Sequence, residues 1–394
     1  MPSVAVLDIT QRRARLARRQ HLAALQRAET PLEAARGVVA LHSTDPASVV
    51  LSLVARLKEP SLADIEKALY EDRVLIRMLG MRRTMFVVAD ELAPVIQAAC
   101  TRGIAVQLRK RYQQLLEQAN VVNDVPTFWS NTESATLAAL ETRREATAQE
   151  LGQDVPALKT QIRVAAGKNY EGVQSIATWM LMQLSAEARI IRGRPRGSWI
   201  SSQYRWAPID AWLPNGMPEL DLHAAQTTLV GAWLRAFGPG TLDDLKWWTG
   251  LTMGEVKRAV QSLGAVEVDL GESVGLVLAD DVAQVEQPPP WVALLPGLDP
   301  TPMGYVQRDW FLGKHAQALF DRSGNIGPSV WSDGRIVGGW AQRKNGAIAY
   351  KLLEDVGRAA EAQVEVAAHA LERWLGAVRI TPRFRTPLER ELSA

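Results

Sequence analysis

Residues 241–281, TLDDLKWWTGLTMGEVKRAVQSLGAVEVDLGESVGLVLADD, permit few folds. Thr241 with Asp244, and Thr252 with Glu255, have the spacing of a capping box. There a hydroxyl and a carboxylate satisfy the open amides of a helix start. Val256, Ala259, Val260 and Leu263 then recur at i, i+3, i+4 and i+7, one apolar stripe on one helix. Gly264 ends that helix, and AVEVDL and VGLVLA flank a glycine-containing turn as a hairpin. Two short helices with Gly250 in the turn between them, then a hairpin, make a helix-turn-helix with a β wing. Of Trp247 and Trp248, one is expected in the core and the other packed between modules.

The same order recurs upstream. SLADIEKALYEDRVLIRMLGMRRTMFVVA opens with a Ser61/Asp64 capping spacing, passes through a helix and ends in the strand-like TMFVV. A further copy has helices near 145–152, 156–164 and 174–186, then ARIIRGRPRGSWISSQYRWA as its wing. EQPPPW, residues 286–291, is a stiff linker. Beyond it PSVWSDGRIVGGWAQRKNGAIAYKLL alternates apolar and polar residues around SDGR and RKNG, an antiparallel meander. A helix near 360–376 and the basic tail VRITPRFRTPLEREL follow. The expected fold is α+β, three tandem winged helices and then an antiparallel β domain. The modules are placed at 1–125, 126–217, 218–286 and 287–394.

A chain of 394 residues has room for these cores, and 47% hydrophobic with 22% charged residues is ordinary for a globular protein. The lone Cys100 excludes an internal disulfide and fits a reducing cytoplasm. No apolar signal core or membrane-length run is present, so a soluble cytoplasmic protein is expected. The histidines at 21, 42, 223, 315 and 369 are never four apart, and no phosphate-binding or dinucleotide glycine motif occurs. Neither a metal nor a cofactor is expected.

The net charge is only +2, but 35 of the 45 cationic residues are Arg. A GC-rich genome alone produces that bias, while the guanidinium fork also suits phosphate and base edges. Positions 189–205 hold Arg189, Arg192, Arg194, Arg196 and Arg205 with no acid, interleaved with Trp199, Tyr204 and Trp206. Such a wing is either a solvated hairpin or a contact to a nucleic-acid backbone. Arg73, Arg77, Arg82 and Arg83 form a second cluster, some of which must only cover apolar surface.

One stretch breaks the helical texture. In VVALHSTDP, residues 38–46, an apolar run stops at His42, Ser43, Thr44 and Asp45 before a proline. Asp45 with Pro46 has the form of a helix cap and first helical residue, which needs no further role. The same four side chains also supply a proton acceptor, hydroxyls and a carboxylate at one point, enough to handle a water.

Five collinear blocks resemble the winged-helix DNA glycosylases of the AlkZ/YcaQ-like superfamily. They are ALHSTDP (40–46), RVLIRMLGMRRTMFVV (73–88), GPGTLDDLKWWTGL (238–251), LLPGLDPTPMGYVQRDWFLG (294–313) and GPSVWSDGRIVGGW (327–340). The resemblance implies three winged helices with a C-terminal β domain, and duplex DNA with alkylated bases as partner. The family's Gln-x-Gln water-holding motif falls on His42 and Thr44. The chain thus looks like a His-x-(Ser/Thr)-Asp branch, some members of which are similar to self-resistance glycosylases for bulky guanine adducts. By that resemblance His42, Thr44 and Asp45 are catalytic; from the two basic clusters, Arg77, Arg82, Arg83, Arg192, Arg194 and Arg196 are expected to contact DNA. A winged-helix regulator that breaks no bond is the rival reading. Such regulators dimerise on palindromic sites, and nothing here resembles a dimerisation helix, so a monomer is expected.

Overall fold

The computed structural model describes residues 5–164 and 172–394. They pack as two compact units: Met1–Leu75 with Phe86–Ala89 and Gln226–Ala394, and Ile76–Met85 with Asp90–Ala225. Both mix helices with antiparallel strands, the α+β character the sequence implies.

In the first unit the helix Ile9–Arg19 starts at Asp8, whose carboxylate accepts from the Gln11 amide at 2.9 Å. Its arginines turn inward. Arg15 reaches Asp281 at 3.0 Å and the Ala283 carbonyl at 2.6 Å, and Arg19 shares Asp281. Gln287 donates to the Thr10 carbonyl at 3.1 Å, so the proline-rich stretch lies along this helix.

The segment 241–281 folds as its spacing dictates. Both capping boxes close, starting the helices Leu242–Thr249 and Met253–Ser262. Gly250 between them has φ 73°, a left-handed turn that glycine adopts without strain. Val266–Asp269 and Val274–Val277 form the hairpin. Asp244 does more than cap. Its Oδ1 accepts from the Val306 and Gln307 amides at 2.9 and 3.1 Å, tying the helix start to the loop after the proline stretch. Trp248 is buried, while Trp247 is half-buried with the Arg308 guanidinium 5.0 Å over its ring.

The meander forms with the expected turns. Val292–Leu295, Ser329–Ser332, Arg335–Gln342 and Ile348–Leu352 make one antiparallel sheet in sequential order. The helix Arg358–Leu375 packs on its first and last strands. Gly304 seats against the Phe237 ring, where a β-carbon would come within 2.4 Å of the aromatic carbons.

The second unit has two long helices that the capped-pair pattern does not flag, Arg102–Ala119 and Val125–Arg143. They close over Trp129 and Trp179, with Tyr112 stacked on Trp179 at 5.1 Å. Thr147 and Glu150 form a third capping box at the start of Ala148–Asp154, and Ile176–Ala186 follows as expected. The helix expected over 156–164 does not form. Pro156–Lys159 is one 3-10 turn, and Gln161–Val164 is a strand paired antiparallel with Gly172–Ser175. Buried Ile162 between exposed Gln161 and Arg163 shows the period of two that a strand needs. In the 61–89 segment the helix likewise stops at Tyr70, and Leu75–Leu79 is a strand.

Candidate active site and nucleic-acid interface

Strand Ala40–His42 pairs antiparallel with Phe86–Val88, placing His42 opposite Phe86. The imidazole meets that ring edge-on at 5.5 Å and is 8% exposed. Ser43 is buried and Thr44 half-buried as the chain turns from strand to helix. Asp45 then caps the helix Pro46–Val54, its Oδ1 accepting from the Ala47 amide at 3.0 Å. The capping role allowed by the sequence is therefore realised. It does not exhaust the side chain, because each carboxylate oxygen can accept more than one hydrogen bond.

That helix is buried on all sides from Pro46 to Leu53, so its polar residues need partners inside the protein. They find them in one block. Ser48 donates to the Gly297 carbonyl at 2.7 Å and Ser52 to Asp299 at 2.8 Å. Arg56, just past the helix, makes two bonds to Asp299 and one to Thr301, all at 2.7–2.8 Å. Thr301 donates onward to Gln20 at 2.6 Å. The block LLPGLDPT is thus the anchor of the helix that Asp45 starts.

Sequence reasoning missed one neighbour. The backbone amide of Arg383, in the C-terminal tail, donates to Asp45 Oδ2 at 2.9 Å, and its guanidinium donates to the Thr44 carbonyl at 3.3 Å. A basic tail was visible in the sequence, but nothing local connects it to a motif 338 positions away.

The arginines of the second unit separate by environment. Arg77 is 4% exposed, with its guanidinium 4.7 Å over the Tyr204 ring. Its strand is buried along its whole length, so Arg77 packs internally and is not a surface contact. Arg82 and Arg83 lie in the turn after that strand, both left-handed at φ 54° and 59°. Burial pulls the Arg82 guanidinium below its ordinary pKa, whereas Arg83 is exposed and bonds Gln107 at 2.7 Å.

The wing forms as Ile190–Pro195 and Tyr204–Pro208. Its acid-free sequence is partly neutralised by the fold, since Arg189 pairs with Glu133 and Arg205 with Glu145. Arg192 lies 4.9 Å over Trp206, and Arg194 and Arg196 are exposed. Arg192, Arg196, Gln149 and Gln203, with Tyr204 and Trp206, line a cavity of about 350 Å³ at the wing root. Trp199, Tyr204 and Trp206 are buried, so none of them offers an open stacking face.

Among the described residues no cluster of His, Cys, Asp or Glu is arranged to hold a metal, and no helix is long and apolar enough to cross a membrane. A family model described as DNA glycosylase AlkZ-like matches residues 35–374. The chain belongs to the AlkZ-like DNA glycosylase family. A curated relative, the interstrand DNA cross-link repair glycosylase of Streptomyces sahachiroi, is 29% identical over 133 residues, which cover 32% of this chain. The match spans 35% of that relative's length. The solved structure of the Streptomyces sahachiroi DNA glycosylase AlkZ shares the fold with a TM-score of 0.72 at 18% identity, over 96% of this chain and 99% of that one. The AlkZ-like match contains His42, Thr44, Asp45 and the wing, and ends before Arg383.

Proposed function

We propose that this AlkZ-like protein is a monofunctional DNA glycosylase that removes N7-alkylated guanine, bulky adducts and cross-links included, from duplex DNA. An N7-alkylguanine is already cationic and leaves without a proton from the enzyme. What remains is to stabilise a sugar with oxocarbenium character and to aim a water at its C1′. Asp45 supplies the opposing charge and the proton acceptor. His42 accepts or orients, and Thr44 holds the water in line. The motif has no lysine, so no Schiff-base step and no strand cleavage follow. Arg82, Arg83, Arg192, Arg194 and Arg196 are the backbone contacts of a monomer built on winged helices. The helix pair with its hairpin at 242–277 supports that architecture.

The observation that carries the reading is the junction itself. His42, Thr44 and Asp45 meet where one strand passes into a buried helix, within the family match and anchored by a polar network. Self-resistance to a genotoxic natural product is the role such a substrate range fits. The test is incubation of excess protein with duplex DNA carrying a defined N7-alkylguanine, with mass-spectrometric detection of free base. Free base with an intact strand supports the reading. Tight binding without release would make the protein a non-catalytic DNA binder.

A further inference from the structure

Arg383 is an exposed cation fixed at a defined place. Its amide holds Asp45, and a single N–H of its guanidinium fork is used on the Thr44 carbonyl. Two residues on, Arg385 is consumed by a bidentate contact to Glu389 at 2.7 and 3.0 Å. Arg383 has no such partner: among the described residues it forms no ion pair, and its other neighbour is the Phe384 ring at 6.0 Å. A carboxylate and a guanidinium therefore stand side by side without being joined, because it is the amide, and not the charged fork, that reaches Asp45.

A nucleotide losing its base presents the complementary pattern, a developing positive charge at the sugar and fixed negative charge on the phosphodiesters flanking it. We propose that Arg383, its fork oriented by the Thr44 carbonyl, forms a phosphodiester seat that binds a phosphate next to the target nucleotide and sets its sugar over Asp45. One residue then fixes both the carboxylate, through its amide, and the strand, through its side chain. The seat rests on the glycosylase reading for the identity of the target nucleotide, but not for the phosphate contact.

The test uses the full chain and duplexes with a tetrahydrofuran abasic analogue, read by fluorescence anisotropy. A neutral methylphosphonate replaces, one at a time, the phosphates flanking the analogue. The parent should lose about tenfold in affinity at one of these positions, the scale of one charge-assisted contact. Arg383→Gln keeps the amide bond to Asp45. It should lose the same amount on native DNA, lose nothing further on that methylphosphonate, and show a salt slope shallower by about one. Arg383→Lys should keep the slope and recover part of the affinity. Losses that add at every position, or an unchanged slope in a variant with the parent's melting curve, overturn the seat. No base is released in this assay. Failure of N7-alkylguanine excision would thus remove the activity and leave the seat, while additive losses would remove the seat and leave the activity.

Discussion

The Arg56 guanidinium and the Asp299 carboxylate pair at 2.7 Å with both side chains wholly buried. Ser52 also donates to Asp299, and Arg56 also donates to Thr301, so both charged groups are held by further hydrogen bonds. Removing one partner leaves an uncompensated charge in the interior, which costs about 3–5 kcal/mol. Asp299→Asn should lower unfolding free energy by that amount in a urea titration. It should also reduce base release, because the helix behind Asp45 loses its anchor. A loss below about 1 kcal/mol would mean that the network does not hold this helix.

The wing arginines should divide by function. Replacing Arg192, Arg194 and Arg196 with Ala should weaken binding to duplexes of any sequence and flatten the salt dependence, since fewer counterions are released. Arg205→Ala breaks an exposed pair to Glu145, and Arg189→Ala removes one of the two arginines on the buried Glu133, which keeps Arg109; each should change stability by about 1 kcal/mol or less. Their salt slopes should stay near the parent's. Equal slopes in all five variants would turn the wing away from DNA.

Arg83 sits in the left-handed region, which holds a non-glycine residue at a cost of order 1–3 kcal/mol and is common where function requires it. Arg83→Gly should therefore leave the melting temperature unchanged or higher while lowering DNA affinity. A lower melting temperature with unchanged affinity would make Arg83 a structural residue.

Local signals carried most of the fold. The capping boxes at Thr241 and Thr252, the N-cap at Ser61 and the turns at Asp333–Gly334 and Asn345–Gly346 are each written within four residues, so the sequence displays them directly. What depends on distant partners was hidden. Gln161–Val164 is a strand because Gly172–Ser175 lies beside it, and Pro156 with the apolar residues after it suggests a helix start just as well. Arg77 stands in a basic cluster in sequence, yet its strand is covered along its length and Tyr204 takes its guanidinium. The acids that neutralise Arg189 and Arg205 come from the stretch 133–145. His42, Thr44 and Asp45 could be found as a motif, but their companion Arg383 could not.

The central claim is that Asp45 does chemistry as well as capping. In Asp45→Asn the side chain can still accept from one of the two amides it now serves, but it turns an NH₂ toward the other. A loss of about 1 kcal/mol of stability is expected from that alone. Single-turnover release of N7-alkylguanine, measured where parent and variant are both fully folded and DNA-saturated, separates the two roles. The rate should fall by at least about 10²-fold, and less in His42→Ala if its imidazole only orients the water. A rate equal to the parent's in folded, DNA-bound Asp45→Asn would reduce Asp45 to the cap of a buried helix.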